Sequence, residues 1–213
     1  MRIVVGIATT GDRPKELKHT LESLHEQTVR PSAIYVWDNS KEDINYTDNG
    51  KFEPLRFLKD PIYFFSCDDD ILYPEDYIEK TIEAIDKHKT IVTYHGRNLR
   101  GKALNYYHDH SAFRCDQSFI ETKKIDVCGT GVTAFRTDYF NPIDIYKAED
   151  KCMSDLVFSL EAIKQGKEIT HIGHYGNWII PQINTGSTIY DRFNKDCSRQ
   201  NEIADEIITL KNK

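Results

Sequence analysis

Short apolar runs alternate with amphipathic segments through the first half of the chain. The apolar runs have the length of strands buried in a parallel sheet, and they are Ile3–Ala8, Ala33–Trp37, Ile62–Ser66 and Ile91–His95. The segments between them carry apolar residues four and three positions apart, the spacing of one helix face, at Leu17, Leu21 and Leu24 and again at Ile78, Ile82 and Ile85. This alternation predicts a doubly wound α/β half from residue 1 to about 97.

The remaining segments are patterned less strongly, and residues 41–54 and 97–128 predict no firm element. The other predicted elements are a short strand at Leu55–Leu58, a helix at Met153–Gln165, a strand at Glu168–Ile172 and a last short helix around Ile203–Leu210. Gly166 supplies the stop of the longer helix. Because no repeat or linker divides the chain, we expect a single domain over residues 1–213.

Three consecutive acids, Asp68-Asp69-Asp70, follow the third apolar run. Pro74 then opens a helical pattern, at a position where its missing N–H costs nothing. The acids are therefore predicted on a turn at the carboxyl end of a strand, where open α/β sheets bind ligands. Adjacent carboxylates repel one another, and a hard divalent cation that takes oxygen ligands is the simplest reason to crowd them. The alternative is a solvated acidic loop.

Three predicted strands end in polar residues with complementary chemistry. The first ends at Thr9, with Arg13 shortly after it, the second ends at Asp38, and the third ends at the acid cluster. Since parallel strands place their carboxyl ends along one edge of a sheet, these residues are expected in one crevice. Asp38 can accept from a base N–H or a ribose hydroxyl, Arg13 can meet a base or a phosphate, and a metal on the acids can bridge a diphosphate. The set suits a nucleotide.

Composition restricts the partners and the compartment. The 213-residue chain has a formal net charge of −6, whereas a nucleic-acid partner would favour a basic surface. The N-terminus lacks the apolar core and cleavage site of a signal peptide, and no apolar run approaches the length of a membrane span. Five cysteines with no C-x-x-C pair fit reduced thiols. We expect a cytoplasmic protein, with peripheral contact to the inner face of the membrane left open.

Four motifs stand out by their order and spacing: Ile3–Pro14 (IVVGIATTGDRP), Thr20–Leu24 (TLESL) with Gln27-Thr28, Val36–Ser40 (VWDNS), and the three acids with Pro74. Together they resemble the motifs of the GT-A glycosyltransferases of family 2. The resemblance covers nearly the whole chain and is strongest over residues 3–90. It implies the GT-A fold, an α/β fold with a mostly parallel sheet flanked by helices. Residues 1–97 would form the nucleotide-sugar-binding half and residues 98–213 the acceptor-binding half.

The resemblance also implies a donor site. In that family the residues matching Thr9, Arg13 and Asp38 hold the nucleotide base, and the one matching Asp68 lies near the ribose and the metal. The residue matching Asp70 binds Mg²⁺ or Mn²⁺ on the diphosphate. We assign Asp69 to donor binding with its neighbours, and a UDP-sugar is the expected donor.

A catalytic base is implied just before a helix that ends in glycine. Counting back from Gly166 gives Asp155, where Ser154 stands in place of the glutamate that often precedes the base. Asp150 belongs to a complete Glu-Asp pair, but its spacing to the helix is wrong, so it is the weaker alternative. An acid at this position also satisfies backbone donors at a helix start, and both roles can hold together.

Histidines and aromatics further along the chain are secondary candidates. Some members of the family use a histidine after the base helix as a third metal ligand, and His174 is the candidate here, with an ordinary loop histidine as the alternative. Trp178 and Tyr190 are candidates for stacking on a sugar ring, although packing is the commoner role of aromatic side chains.

These features together predict an inverting glycosyltransferase in bacterial-type surface glycan synthesis. It would move a sugar from a nucleotide-diphosphate sugar to a hydroxyl of a glycan or lipid-linked glycan. One alternative is another metal-dependent phosphate enzyme, such as a sugar nucleotidyltransferase, which would favour a Gly-rich phosphate loop; Gly6 and Gly11 lie too far apart for one. The other alternative is a non-catalytic nucleotide-binding module.

Overall fold

A central mixed sheet with helices on both faces forms the body of the protein. The computed structural model describes residues 1–102, 105–142, 144–183 and 196–212. Its strands are β1 (Arg2–Thr9), β2 (Ala33–Asp38), β3 (Ile62–Asp68), β4 (Ile71–Leu72), β5 (Ile91–Thr93), β6 (Gly96–Leu99), β7 (His110–Phe113), β8 (Lys123–Ile125), β9 (Val127–Cys128), β10 (Val132–Arg136), β11 (Ile169–His171) and β12 (Ile180–Pro181). Within the described residues, the main sheet has seven strands in the order β2-β1-β3-β10-β5-β11-β8. Only β8 and β10 run antiparallel to their neighbours there, so the predicted mostly parallel α/β sheet is confirmed.

The helices in the described residues are α1 (Pro14–His25), α2 (Tyr77–His88), α3 (Ser154–Lys164) and α4 (Ser198–Lys211). Proline opens α1, where no N–H is needed. The prediction that Pro74 opens α2 is wrong by one turn. The Pro74 carbonyl instead accepts from the N–H of Tyr77 at 2.9 Å, in a turn that precedes the helix.

The register of the first three strands places their polar ends side by side. In the ladder between β1 and β2, Thr9 lies opposite Asp38. In the ladder between β1 and β3, Ala8 lies opposite Asp68. The expectation that these strand ends share one edge of the sheet is therefore confirmed.

The predicted short strand at Leu55–Leu58 is wrong. The structure has a 3-10 helical segment at Thr47–Arg56, and Pro54 within it has no N–H to give to a sheet ladder. This segment packs directly against β1. A Cβ on Gly6 would lie 2.0 Å from the carbonyl oxygen of Lys51, so glycine permits the close approach. A stretch that looks polar and irregular in sequence is therefore largely interior.

Strands from the second half of the chain complete the same sheet. β10 lies between β3 and β5 and is antiparallel to both, so the two predicted halves interleave. β6, β7 and β9 form a separate three-stranded sheet. They lie mostly in the segment 97–128, whose sequence pattern predicted no firm element. The apolar face of α4 packs on α3 through Ile203 and Ile207 against Leu156.

Candidate active site

A pocket of about 200 Å³ opens at the carboxyl edge of the main sheet. It collects side chains from both halves of the chain. The charged and titratable residues in its lining include Asp68, Asp70, His95, Arg114, Asp116 and Asp155. Two of the three consecutive acids, Asp68 and Asp70, therefore meet the carboxylate at the start of α3 in one cavity.

The backbone of the acid turn is held from two sides. The buried Thr20 hydroxyl of α1 lies 3.1 Å from the carbonyl oxygen of Asp69 and 2.9 Å from that of Ile71. From the other side, the N–H of Gln182 donates to the carbonyl of Asp70 at 2.8 Å. The carboxylates of the turn consequently project from a fixed frame.

Arg13 offsets part of the acidic charge. Its Nη1 donates to Oδ2 of Asp70 at 2.6 Å, and its Nη2 lies 3.4 Å from Oδ1 of Asp69. Burial opposes the charge of Arg13, but the Asp69 and Asp70 carboxylates outweigh it and raise the pKa of the guanidinium. The residue predicted to meet a base or a phosphate thus pairs with the acids in this structure.

Asp69 lies beneath the pocket and not in its lining. Its side chain is 4% exposed, and burial raises its pKa to about 6, against the opposing effects of Thr9 and Arg13. Its Oδ2 atom is buried without a hydrogen-bond partner among the described residues. The structure therefore does not bring this predicted donor-binding side chain to the pocket beside Asp68 and Asp70.

Asp68 pairs with a buried lysine. Lys51, from the 3-10 segment, is 2% exposed and donates to Oδ1 of Asp68. Burial opposes the charge of Lys51, and the nearby carboxylates, Asp68 foremost, raise its pKa. On the opposite side a Cβ on Gly131 would lie 2.1 Å from Oδ2 of Asp68. Glycine at position 131 therefore leaves the space that this carboxylate occupies.

Asp155 lies in the first turn of α3 and faces the same pocket. Its Oδ1 accepts from the N–H and the hydroxyl of Thr130 at 2.7 and 2.8 Å. Thr130 belongs to the turn before β10, and this turn also borders Asp68. Among the described residues only Oδ1 receives hydrogen bonds, so Oδ2 is the oxygen that can receive a proton from a substrate.

Asp150, the weaker alternative for the base, lies elsewhere. Its two oxygens accept from Nε and Nη2 of Arg199 at 2.7 and 2.9 Å, and this pairing lowers its pKa. Asp150 borders a second cavity of about 480 Å³ along α3. That cavity contains none of the three consecutive acids. The structure groups Asp155, and not Asp150, with the acid turn.

Asp38 and Thr9 form the neighbouring part of the sheet edge. Oδ1 of Asp38 accepts from the N–H and the hydroxyl of Ser40 at 3.0 and 2.6 Å. Nζ of Lys41 lies 2.6 Å from Oδ2 of Asp38. Lys41 and Ser40 lower the pKa of Asp38 to about 2, so the carboxylate is ionised at neutral pH. An ionised acceptor here suits the donor groups of a base or a ribose.

His174 packs in the interior. One ring nitrogen lies 3.0 Å from the carbonyl oxygen of Ile172 and the other 3.1 Å from that of Cys115. It does not line the acid pocket, so the structure does not bring it to Asp68 and Asp70, and its ligand role stays a prediction. Trp178 donates to Asp76 at 2.8 Å and packs beside buried aromatics. Tyr190 lies outside the described residues.

Sequence reasoning missed three side chains of the pocket lining that are charged or carry an imidazole: His95, Arg114 and Asp116. His95 closely follows β5, so the expectation that polar residues at strand ends share one edge, which indicated Asp38 and Asp68, would have found it. Burial lowers the pKa of His95, which favours the neutral imidazole. Arg114 and Asp116 form a bidentate pair at 3.0 and 2.8 Å. They follow β7, in a segment without a periodic pattern, and no local signal marked them.

Asp68 and Asp70 are suitable ligands for a hard divalent cation. Both place carboxylates in the pocket lining, and carboxylate oxygens are the donors that Mg²⁺ and Mn²⁺ prefer. Over residues 1–102, 105–142, 144–183 and 196–212, no three His, Cys, Asp or Glu side chains converge as a complete metal site. The other ligands would then be substrate or water oxygens, as is common for Mg²⁺ on a diphosphate.

The fold has a counterpart among solved structures. The crystal structure of S. aureus TarS 1-349 matches with a TM-score of 0.52 at 15% sequence identity, over 83% of this chain and 59% of that one. This chain shares the α/β fold of that structure, in agreement with the GT-A fold class expected from the sequence. Because the chain spans 59% of the TarS structure and shares few of its residues, the match establishes the fold and leaves the activity as a proposal.

Other comparisons add little. The crystal structure of A197 from STIV covers 88% of this chain and 97% of that one at 13% identity, but its TM-score of 0.45 is too low to carry an argument. No protein-family model matches the chain, and no curated protein sequence matches it. In the part of the chain that the structure describes, no helix combines the length and the apolar character needed to cross a membrane.

Proposed function

We propose that this protein is an inverting, metal-dependent glycosyltransferase that moves a sugar from a nucleotide-diphosphate sugar to an acceptor hydroxyl. The observation that carries the proposal is that Asp68, Asp70 and Asp155 line one pocket. A GT-A-like fold shared with TarS supports the same class of reaction. A UDP-sugar is the proposed donor. A glycan or lipid-linked glycan of bacterial-type surface glycan synthesis is the proposed acceptor.

The donor would lie along the ends of β1, β2 and β3. Asp38 and Thr9 are assigned to the base, and Asp68 to the ribose. Asp68 and Asp70 would hold Mn²⁺ or Mg²⁺, which when bound offsets the charge of the diphosphate as it leaves. Arg13, which pairs with Asp69 and Asp70, is assigned to the base as well, and its guanidinium can also meet a phosphate.

The acceptor would approach from the side of α3. Oδ2 of Asp155 takes the proton of the attacking hydroxyl, while the Thr130 bonds to Oδ1 fix the carboxylate. Attack on the anomeric carbon from the face opposite the diphosphate inverts its configuration. Neutral His95, in the same lining, would hydrogen-bond the acceptor.

The test is a panel of nucleotide sugars incubated with the protein and Mn²⁺, Mg²⁺ or EDTA. Release of the free nucleoside diphosphate is measured with and without added glycan acceptors. We expect turnover of a UDP-sugar with Mn²⁺ or Mg²⁺ and its loss in EDTA. Tight UDP binding without turnover of any donor would favour a non-catalytic module, and pyrophosphate release from UTP with a sugar phosphate would favour a nucleotidyltransferase.

A further inference from the structure

A buried lysine that the mechanism above does not use lies between the donor acids and the base. Nζ of Lys51 donates to Asp68 and lies 3.4 Å from the hydroxyl oxygen of Thr130. That hydroxyl in turn donates to Oδ1 of Asp155 at 2.8 Å. One ammonium group therefore links the last residue of β3 to the residue that orients Asp155.

The segment that carries Lys51 also holds the start of α3. Oδ2 of Asp48 accepts from the N–H of Ser154 at 2.9 Å, and the Thr47 hydroxyl accepts from the N–H of Cys152 at 3.1 Å. The residue at the N-cap position of α3 makes no capping bond with its own side chain, so Asp48 supplies a cap from a distant segment. Residues 47–51 thus join the acid strand to the base helix.

Stability alone does not explain a lysine at position 51. A buried charge is costly unless it is paired. Apolar residues of similar volume often replace a buried ion pair without loss of stability. Because Asp68 is 40% exposed at the pocket, it does not need a buried cation for its own solvation. The charge is therefore better explained by the two groups that it joins.

We propose that Lys51 is a positioning residue that fixes the base Asp155 relative to the donor ligand Asp68. This inference rests on the proposed glycosyl transfer. Lys51 does not line the pocket, so it acts through Asp68 and Thr130 and not on the substrate. Holding reacting groups at a fixed separation is a large part of catalysis, and a small displacement of one of them is costly.

The test compares Lys51→Met with Lys124→Met. Methionine keeps the length of the side chain without its charge, and Lys124 is an exposed lysine that pairs with Glu168 and does not line the pocket. For each variant, kcat, donor KM, Tm and the amide hydrogen exchange of the first turn of α3 are measured. For Lys51→Met we expect kcat to fall about a hundredfold, the scale of a misplaced catalytic group, with donor KM nearly unchanged. Exchange at the start of α3 should rise, while Tm stays close to that of the wild type.

Several outcomes would overturn the inference. A wild-type kcat in Lys51→Met would do so. A large fall in Tm with faster exchange throughout the sheet would also do so, because that pattern indicates a general structural role for Lys51. A raised donor KM at unchanged kcat would place Lys51 in the donor site instead. If the wild type turns over no donor, the proposed transfer fails, and the exchange data alone then decide. Faster exchange confined to the start of α3 supports positioning, and unchanged exchange contradicts it.

Discussion

The pocket has two walls that are built in different ways. The donor wall, named for the proposed donor, is the acid turn at the end of β3, and the ends of β1 and β2 lie beside it outside the pocket lining. Continuous parallel ladders fix these three strand ends, with Thr9 opposite Asp38 and Ala8 opposite Asp68. The acceptor wall consists of the residues that follow β5 and β7, together with the start of α3. Its strands have three or four residues, and side-chain pairs such as Thr130 with Asp155 hold it together.

This difference has a functional consequence. A ladder of backbone hydrogen bonds does not depend on side-chain identity, so the donor wall can keep one geometry through many sequence changes. Side chains on short strands and loops are replaced more easily, and loops carry much of the specificity of enzymes. The donor wall therefore suits a common nucleotide, and the acceptor wall suits a particular acceptor.

The largest effect is expected from removing the two carboxylates of the donor wall. The double variant Asp68→Asn/Asp70→Asn removes both carboxylates proposed for the cation, so the affinity for UDP in the presence of Mn²⁺ should fall by about a hundredfold or more. Isothermal calorimetry measures it. Asp116→Asn, which removes one charge from the other wall of the same pocket, is the control and should bind UDP with Mn²⁺ as the wild type does. Equal affinities in all three proteins would contradict the assignment.

A smaller effect is expected at the acceptor wall. Arg114→Gln removes the bidentate pair with Asp116 and a cation from the lining. We propose that Arg114 also donates to the acceptor from this lining. The KM for the acceptor should therefore rise about tenfold, the effect of losing one charge-assisted hydrogen bond of about 1.4 kcal/mol, while the KM for the donor stays constant. Initial rates over both substrate concentrations separate the two constants. A change confined to the donor KM would show that Arg114 belongs to the donor wall.

The smallest effect concerns a matched pair of thiols. Cys67 in β3 and Cys128 in β9 are both fully buried, and burial raises the pKa of each to about 12. At pH 8 both stay in the unreactive thiol form, so alkylation requires local opening. We expect slow labelling of both, with Cys128 faster because its sheet is smaller, and rapid labelling of the partly exposed Cys152. Mass spectrometry of the labelled protein measures the rates, and faster labelling of Cys67 than of Cys128 would contradict this expectation.

The same contrast explains what the sequence could predict. Asp38 and the acid cluster end apolar runs long enough to be recognised as strands, so their meeting at one edge follows from the topology of a parallel sheet. Asp155 was predicted from the glycine stop of its helix and from the resemblance to a family. Lys51 was not found, because a lysine in a polar stretch carries no local mark of burial. Arg114 and Asp116 were missed because strands of three or four residues show no clear period.

The most direct test is a matched pair of substitutions, Asp155→Asn and Asp150→Asn, assayed for initial transfer rate with one accepted donor. Asparagine keeps the shape and the hydrogen bonds but cannot take a proton. Because Asp155 shares the pocket with the acids and Asp150 pairs with Arg199, Asp155→Asn should lower kcat by about a hundredfold or more with UDP affinity nearly unchanged. Asp150→Asn should cost much less. A nearly active Asp155→Asn beside an inactive Asp150→Asn would contradict the proposed assignment of the base.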